Sequence, residues 1–101
     1  MADAAAPALR LEGEVATNLA DAAALREAIR TALERLAREG LRGTVELRVT
    51  VDAAGAAKVQ VVRAPDRASR ARVERALRGL TSAARPAGAG PGVYRVVAKI
   101  G

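Results

Sequence analysis

The sequence predicts an α+β domain whose elements follow the order β-α-β-β-α-β. Alternation of apolar and polar residues, which is typical of half-buried strands, occurs near the start, in the middle and at the end of the chain. The two intervening segments carry apolar residues at spacings of three and four, which is typical of amphipathic helices. This order is that of the split βαβ arrangement, so we expect a four-stranded antiparallel sheet with both helices on one face.

The N-terminal segment contains a short lead-in and the first strand. Residues 1–8 are small and include a proline, which predicts a disordered lead-in to a single domain over residues 9–101. Residues 9–15 then alternate in polarity and predict a strand. Because Glu12 and Glu14 are two residues apart, we expect both carboxylates on the solvated side of that strand.

The first helix is predicted over about residues 20–39. Its apolar stripe has spacings of four, four and three and consists of Leu25, Ile29, Leu33 and Leu36. Three residues before or at its start have side-chain oxygens that can accept hydrogen bonds from first-turn amides, and these candidate N-caps are Thr17, Asn18 and Asp21. Gly40 is placed to end the helix in a left-handed conformation.

The middle of the chain contains the clearest strand pattern. Four apolar residues occupy every second position, namely Val45, Leu47, Val49 and Val51. The alternation resumes at Val59 and Val61 after a turn over residues 52–55, where Gly55 supplies the positive φ that a tight reversal requires. Residues 43–64 are therefore predicted to form a β-hairpin.

The last third of the chain predicts a helix, a loop and a final strand. Asp66 is expected to cap a helix over about residues 67–81. Residues 84–92 are rich in proline and glycine, which predicts a loop. Residues 93–100 alternate again and predict a strand, one face of which carries Val93, Arg95, Val97 and Lys99.

The composition excludes several classes of protein. A chain of 101 residues has room for one modest core. It contains no cysteine and no histidine, so the usual ligands of zinc, copper and iron and the commonest proton shuttle are missing. It also has no P-loop, GxSxG or GxGxxG motif. We therefore expect a non-enzymatic protein without catalytic residues, cofactor or metal site.

The sequence also bears on location. The printed chain has neither the basic and apolar regions of a signal peptide nor a run of roughly 20 apolar residues that could span a bilayer. We expect no membrane span and a soluble, unexported protein in the cytoplasm. If the chain was cut from a longer protein of the family discussed next, the periplasm is expected instead.

Five segments of the chain share their order and spacing with a known family. They are A-R-E-G-L-R-G-T-V-E-L-R-V-T-V-D-A-A-G, K-V-Q-V-V, V-E-R-A-L-R-G-L, A-R-P-A and Y-R-V-V-A-K-I. Over about residues 37–100 the chain resembles the C-terminal domain of the TonB and TolA group of energy transducers. The same TonB-like C-terminal module is carried by many periplasmic proteins.

This resemblance implies a protein-binding or peptide-binding module, or an assembly module, that acts by β-augmentation. In that mode an extended peptide pairs its backbone with a free sheet edge. The pairing edge in the family is the last strand, which here implies the positions Val93, Arg95, Val97 and Lys99. A free edge can also pair with a second copy and form a homodimer. The alternative is an ordinary strand in which Arg95 and Lys99 protect the edge from aggregation.

The charge distribution suggests a second function. Seventeen lysines and arginines oppose eleven acidic residues, for a net charge of +6. At 100° per residue, Arg67, Arg75 and Arg78 share an exposed arc of the second helix, which we call the basic ridge. The ridge predicts, as an alternative, a basic accessory protein that binds nucleic acid or another polyanion nonspecifically. The scarcity of aromatic and amide side chains disfavours nucleic acid, and a solvated helix face is the simpler interpretation.

Overall fold

The elements of the chain follow the predicted order, with two short strands added. A computed structural model describes residues 8–101, so the lead-in predicted over residues 1–8 falls, apart from Ala8, outside the described residues. The helices are α1 (Ala22–Arg38) and α2 (Arg67–Leu77). The strands are β1 (Leu9–Thr17), β2 (Leu19–Ala20), β3 (Gly43–Val51), β4 (Ala57–Arg63), β5 (Arg85–Pro86) and β6 (Gly92–Ile100).

The four long strands form one antiparallel sheet in the order β1-β6-β3-β4, while β2 pairs with β5. The predicted α+β class is therefore confirmed. Strand β6 lies inside the sheet, paired with β1 on one side and β3 on the other. The expectation that Val93, Arg95, Val97 and Lys99 form a free edge is wrong. The reason is topological, since the last strand in the chain inserts between two earlier ones.

The core lies between one face of this sheet and the two helices. All four residues of the predicted α1 stripe are buried, and α2 contributes Val73 and Leu77. The sheet contributes every second residue of β3 and β6, and all of these residues belong to one hydrophobic cluster. Burial of each Leu, Ile or Val side chain contributes roughly 1.5–3 kcal/mol, so these stripes provide most of the driving force for folding. Both helices consequently cover the same face of the sheet.

A β-bulge in β1 changes which side chains face the helices. Glu12 pairs with Val97 but Val15 pairs with Arg95, so β1 contains one more residue than β6 in this interval. Gly13 at φ 60° takes the left-handed conformation that such a bulge requires. The extra residue inverts the side-chain phase, so Glu14 turns toward α1 and Val15 is 54% exposed. The expectation that both glutamates share the solvated face is therefore wrong.

The two helices begin in different ways. At α2 the predicted cap is confirmed, because the Asp66 carboxylate accepts a hydrogen bond of 2.7 Å from the Ser69 amide. This bond lowers the pKa of Asp66. At α1 the N-cap position is Asp21, which has φ 60° and makes no side-chain cap. Asn18 instead donates its side-chain amide toward the carbonyls of residues 89, 90 and 91, at 3.1–3.2 Å, and so holds the proline/glycine loop.

Candidate functional site

Within residues 8–101 the sheet has two edge strands, β1 and β4, and the free edge of β4 lies beside a groove formed with α2. In an antiparallel strand, the N–H and C=O of one residue point to the same side. The Asp52 amide donates to the Ala56 carbonyl at 3.0 Å, and this bond sets the alternation of the hairpin. By that alternation Ala57 and Val59 point their backbone groups away from β3. The Val61 carbonyl also points away from β3, because it accepts a hydrogen bond from the Arg70 guanidinium of α2.

A groove of about 320 Å³ runs between β4 and the C-terminal end of α2. Its lining residues are Ala57, Lys58, Val59, Glu74, Leu77, Arg78 and Gly79. The strand side is half-buried at Ala57 and Val59, so apolar surface remains accessible there. Arg78 and Glu74 border this surface on the side of α2, whereas the side chain of Lys58 alternates to the opposite face of the sheet. An extended chain that pairs with β4 would place alternate side chains in this groove.

The predicted basic ridge is exposed but is not a continuous helical arc. Arg67 and Arg75 lie on α2, whereas Arg78 follows the last helical residue and has an extended conformation. Gly79, at φ 77°, follows directly, and the predicted helix to residue 81 therefore stops at Leu77. Within residues 8–101 no carboxylate pairs with any of the three ridge arginines. Their charges are available to an anionic partner.

Three other arginines, on α2 and in the segment after it, are engaged within the protein. Arg70 donates to the Val61 carbonyl, and Arg72 lies 3.6 Å from a carboxylate oxygen of Glu39. Arg85 donates to the carbonyls of residues 82 and 84 at 3.4 and 2.9 Å. These contacts tie α2 to β4 and α1 and fold the loop on itself. These three arginines therefore have structural roles and, unlike the basic ridge, are already paired within the protein.

The four positions implied by the family resemblance share one face of β6, opposite the helices. Arg95 and Lys99 are exposed, and Val93 and Val97 are half-buried between neighbouring strands. Arg95 forms an ion pair of 3.3 Å with Glu46, and Lys99 one of 3.4 Å with Glu12. The structure therefore brings these four side chains together on a surface. It does not offer their backbone to a partner, because both sides of β6 are paired.

A polar cluster that sequence reasoning missed lies where β1 meets α1. The Tyr94 hydroxyl donates to the Glu14 carboxylate at 2.6 Å, and Arg26 donates to the same carboxylate at 3.0 and 3.2 Å. Burial raises the pKa of Tyr94, and the bond to Glu14 raises it further. The isolated Gly13 inside a strand pattern was the signal for a bulge that could have revealed this cluster. Its geometry fits a structural bridge between sheet and helix.

Further features limit the chemistry of the described chain. Among residues 8–101, no three acidic side chains gather into a group that could hold a metal ion. Neither α1 nor α2 is long and apolar enough to cross a membrane. No protein-family model, curated protein or solved structure matches the chain. The outward backbone groups of β4 and the groove beside them form a candidate site for an extended peptide.

Proposed function

We propose that this protein is a non-enzymatic recognition module that binds an extended segment of a partner protein by adding it as a fifth strand beside β4. The observation that carries the proposal is the combination of an unpaired strand edge with the groove beside α2. The outward backbone groups of Ala57 and Val59 supply hydrogen bonds that any extended peptide can use. The side chains in the groove supply the selectivity.

The resemblance of residues 37–100 to TonB-like C-terminal domains supports the same mode of binding. In that family the partner pairs with the last strand, but β6 is here enclosed by β1 and β3. We therefore propose that the partner pairs with β4, which is an edge strand of the sheet. The same edge can accept β4 of a second copy, which makes a homodimer the natural competitor of a peptide partner.

The groove indicates what kind of segment would bind. Ala57 and Val59 leave apolar surface for small aliphatic side chains. Lys58, between these two residues, points to the opposite face of the sheet, so an acidic residue of the partner is favoured beside it. We expect a preference for extended segments in which small aliphatic and acidic residues alternate.

The test is selection of displayed random peptides on the immobilised protein, followed by mapping of the bound peptide through amide chemical shifts. Shifts confined to β4 and α2 support the proposal. Val59→Pro removes an outward N–H and should abolish binding, while Val59→Ala, which only shortens the side chain, should retain most of it. Lys58→Glu leaves the backbone intact and should reverse the preference for acidic residues. Binding that survives Val59→Pro in a folded variant would overturn the proposal.

The second candidate function is polyanion binding through the basic ridge. The observation that favours it is the exposure of Arg67, Arg75 and Arg78 without an ion pair among residues 8–101. Replacement of all three with serine should then remove binding to polyanions at low salt. The two candidates differ in salt dependence, because charge-driven binding weakens steeply with salt and backbone pairing changes little.

A further inference from the structure

The sheet face opposite the helices is uncovered, and its side chains form a regular grid. Within the described part of the chain, both helices pack on the other face. The cross-strand registers arrange the exposed side in four rows. In order, these rows are Arg10, Lys99 and Thr44; Glu12, Val97, Glu46 and Arg63; Val15, Arg95, Arg48 and Gln60; and Thr17, Val93, Thr50 and Lys58. We call this surface the open face.

The open face carries most of the protein's excess positive charge. Its six cations are Arg10, Arg48, Lys58, Arg63, Arg95 and Lys99, and its two anions are Glu12 and Glu46. The difference is +4, compared with +6 for the whole chain. Solvent-facing sheets usually mix the two signs, so an excess of this size on one face requires an explanation.

Two pairs of like charges face each other directly across neighbouring strands. Arg48 of β3 is opposite Arg95 of β6, and Lys99 of β6 is opposite Arg10 of β1. Like charges in this position destabilise a sheet. Glu12 lies 3.3 Å from Arg10 and 3.4 Å from Lys99, so it relieves the second pair.

The first pair is only half relieved. Glu46 reaches Arg95 at 3.3 Å, whereas Arg48 has no carboxylate partner among residues 8–101. Its other cross-strand neighbour is the uncharged Gln60. A bound anion at this point would remove a repulsion that the protein itself leaves in place.

Five of the six cations form a diagonal band, and Arg63 lies outside it. From one corner of the open face to the other, the band runs through Lys58, Arg48, Arg95, Lys99 and Arg10. With strands about 4.8 Å apart and alternate residues about 6.7 Å apart along a strand, it spans roughly 25 Å. At the Arg10 end it opens into a hollow of about 420 Å³ that is also lined by Thr44 and Lys99. This shape fits a linear anion whose charges repeat along its length.

We propose that the open face binds the phosphate backbone of double-stranded nucleic acid, without reading its sequence. A duplex keeps its bases stacked internally and presents regularly spaced phosphates, which match a flat band of cations. The single aromatic residue, Tyr94, is buried on the other face, so unpaired bases would find no stacking surface here. Gln60 is the one amide side chain on the open face. The face therefore positions phosphates and offers little base recognition.

The test compares two variants with the same change of charge. Arg48→Gln/Arg95→Gln alters the centre of the band, and Arg67→Gln/Arg75→Gln alters the basic ridge on α2. Binding of a short labelled DNA duplex of mixed sequence is followed by fluorescence anisotropy over a range of salt concentrations. The open-face variant should bind more weakly, and the slope of log K against log salt should fall by about 2. Its thermal stability should change little, because the substitutions remove one like-charge pair and one exposed ion pair, Arg95–Glu46.

The outcomes separate the alternatives. Retention of affinity and slope in the ridge variant supports the assignment to the open face. Equal losses in both variants would show that net charge alone drives binding, and loss only in the ridge variant would place the site on α2. Equally tight binding of poly-glutamate would identify an acidic polypeptide as the partner. Each of these last three results overturns the proposal, as does absence of duplex binding at low salt.

Discussion

The Tyr94 hydroxyl donates a hydrogen bond of 2.6 Å to the carboxylate of Glu14, and this bond crosses from the middle of the sheet to the bulge of its edge strand. The tyrosine is fully buried, while the carboxylate is partly exposed and is also bound by Arg26. The bond depends on Gly13, because without the bulge Glu14 would face the opposite side of the sheet. A single glycine thus determines whether the only tyrosine of the chain finds a partner.

We expect Tyr94→Phe to lower the free energy of unfolding by about 1.5 kcal/mol, since it removes one hydrogen bond to a charged, partly exposed group and keeps the ring. Urea denaturation of the variant and the parent protein measures the difference. Arg26→Gln is the control and should cost less, because the arginine is about one third exposed. A larger effect of the control would show that the ion pair, rather than the tyrosine, holds the bulge.

Stability should decline in alkaline solution for a reason that can be traced to Tyr94. Its pKa is raised by burial and by Glu14, whereas in the unfolded chain it should be near 10. Below pH about 10 both states keep the proton. Above that pH the unfolded state loses it first, so the free energy of unfolding falls as pH rises until the folded state also ionises.

Tyrosinate absorbance measures this directly, because Tyr94 is the only aromatic residue. Tyr94 should titrate at higher pH in the native protein than in the urea-unfolded chain. Glu14→Gln should reduce this difference in the pH of titration, because it removes the carboxylate that raises the pKa of Tyr94. Identical titration of the two states would contradict the buried hydroxyl.

Loss of the Asn18 side-chain amide should lower the stability of the protein, because this amide holds the proline/glycine loop. The φ of 52° at Asn18 suits Asn, Asp or Gly, so Asn18→Asp and Asn18→Gly keep the backbone conformation. The aspartate would point a carboxylate at three carbonyl oxygens, and we expect it to cost about 1–3 kcal/mol. Asn18→Gly should cost less because it only removes the donor. Thermal melts rank the variants, and protease cleavage within residues 87–91 reports release of the loop.

Val97→Pro tests the strand order. Val97 pairs with Glu12 on one side and Glu46 on the other, so proline there removes a ladder hydrogen bond inside the sheet. We expect the variant to lose its folded circular dichroism spectrum, whereas Val59→Pro on the β4 edge should keep it. If Val97→Pro folded normally, β6 could not be an interior strand.

The sequence allowed the elements to be predicted because their signals are local. Strict alternation at Val45 to Val51 and the stripe at Leu25 to Leu36 report which residues are buried, and all of them are. The Asp66 cap is equally local. The order of strands could not be predicted in this way, because the sequence of β6 does not specify which strands pair with it. The predicted free edge was therefore wrong, although the strand itself was found.

For the candidate sites, too, local features could be predicted and features that depend on tertiary structure could not. The basic ridge could be predicted because its three arginines lie close together in the sequence, on α2 and directly after it. The open face was not, because its charges come from four strands and become one band only through the registers. The groove beside β4 likewise requires α2 to lie next to a particular edge. Surfaces assembled from distant segments cannot be deduced from spacing along the chain.

Strand β1 contributes no fully buried side chain to the core and is held mainly by its backbone ladder to β6. The free energy of local unfolding should therefore be lower for β1 than for the other strands of the sheet. The amides of β1 should then be the first of the four long strands to exchange with deuterium. While β1 is detached, one edge of β6 is bare, and the backbone groups of Val93, Arg95, Val97 and Lys99 become free to pair with another strand.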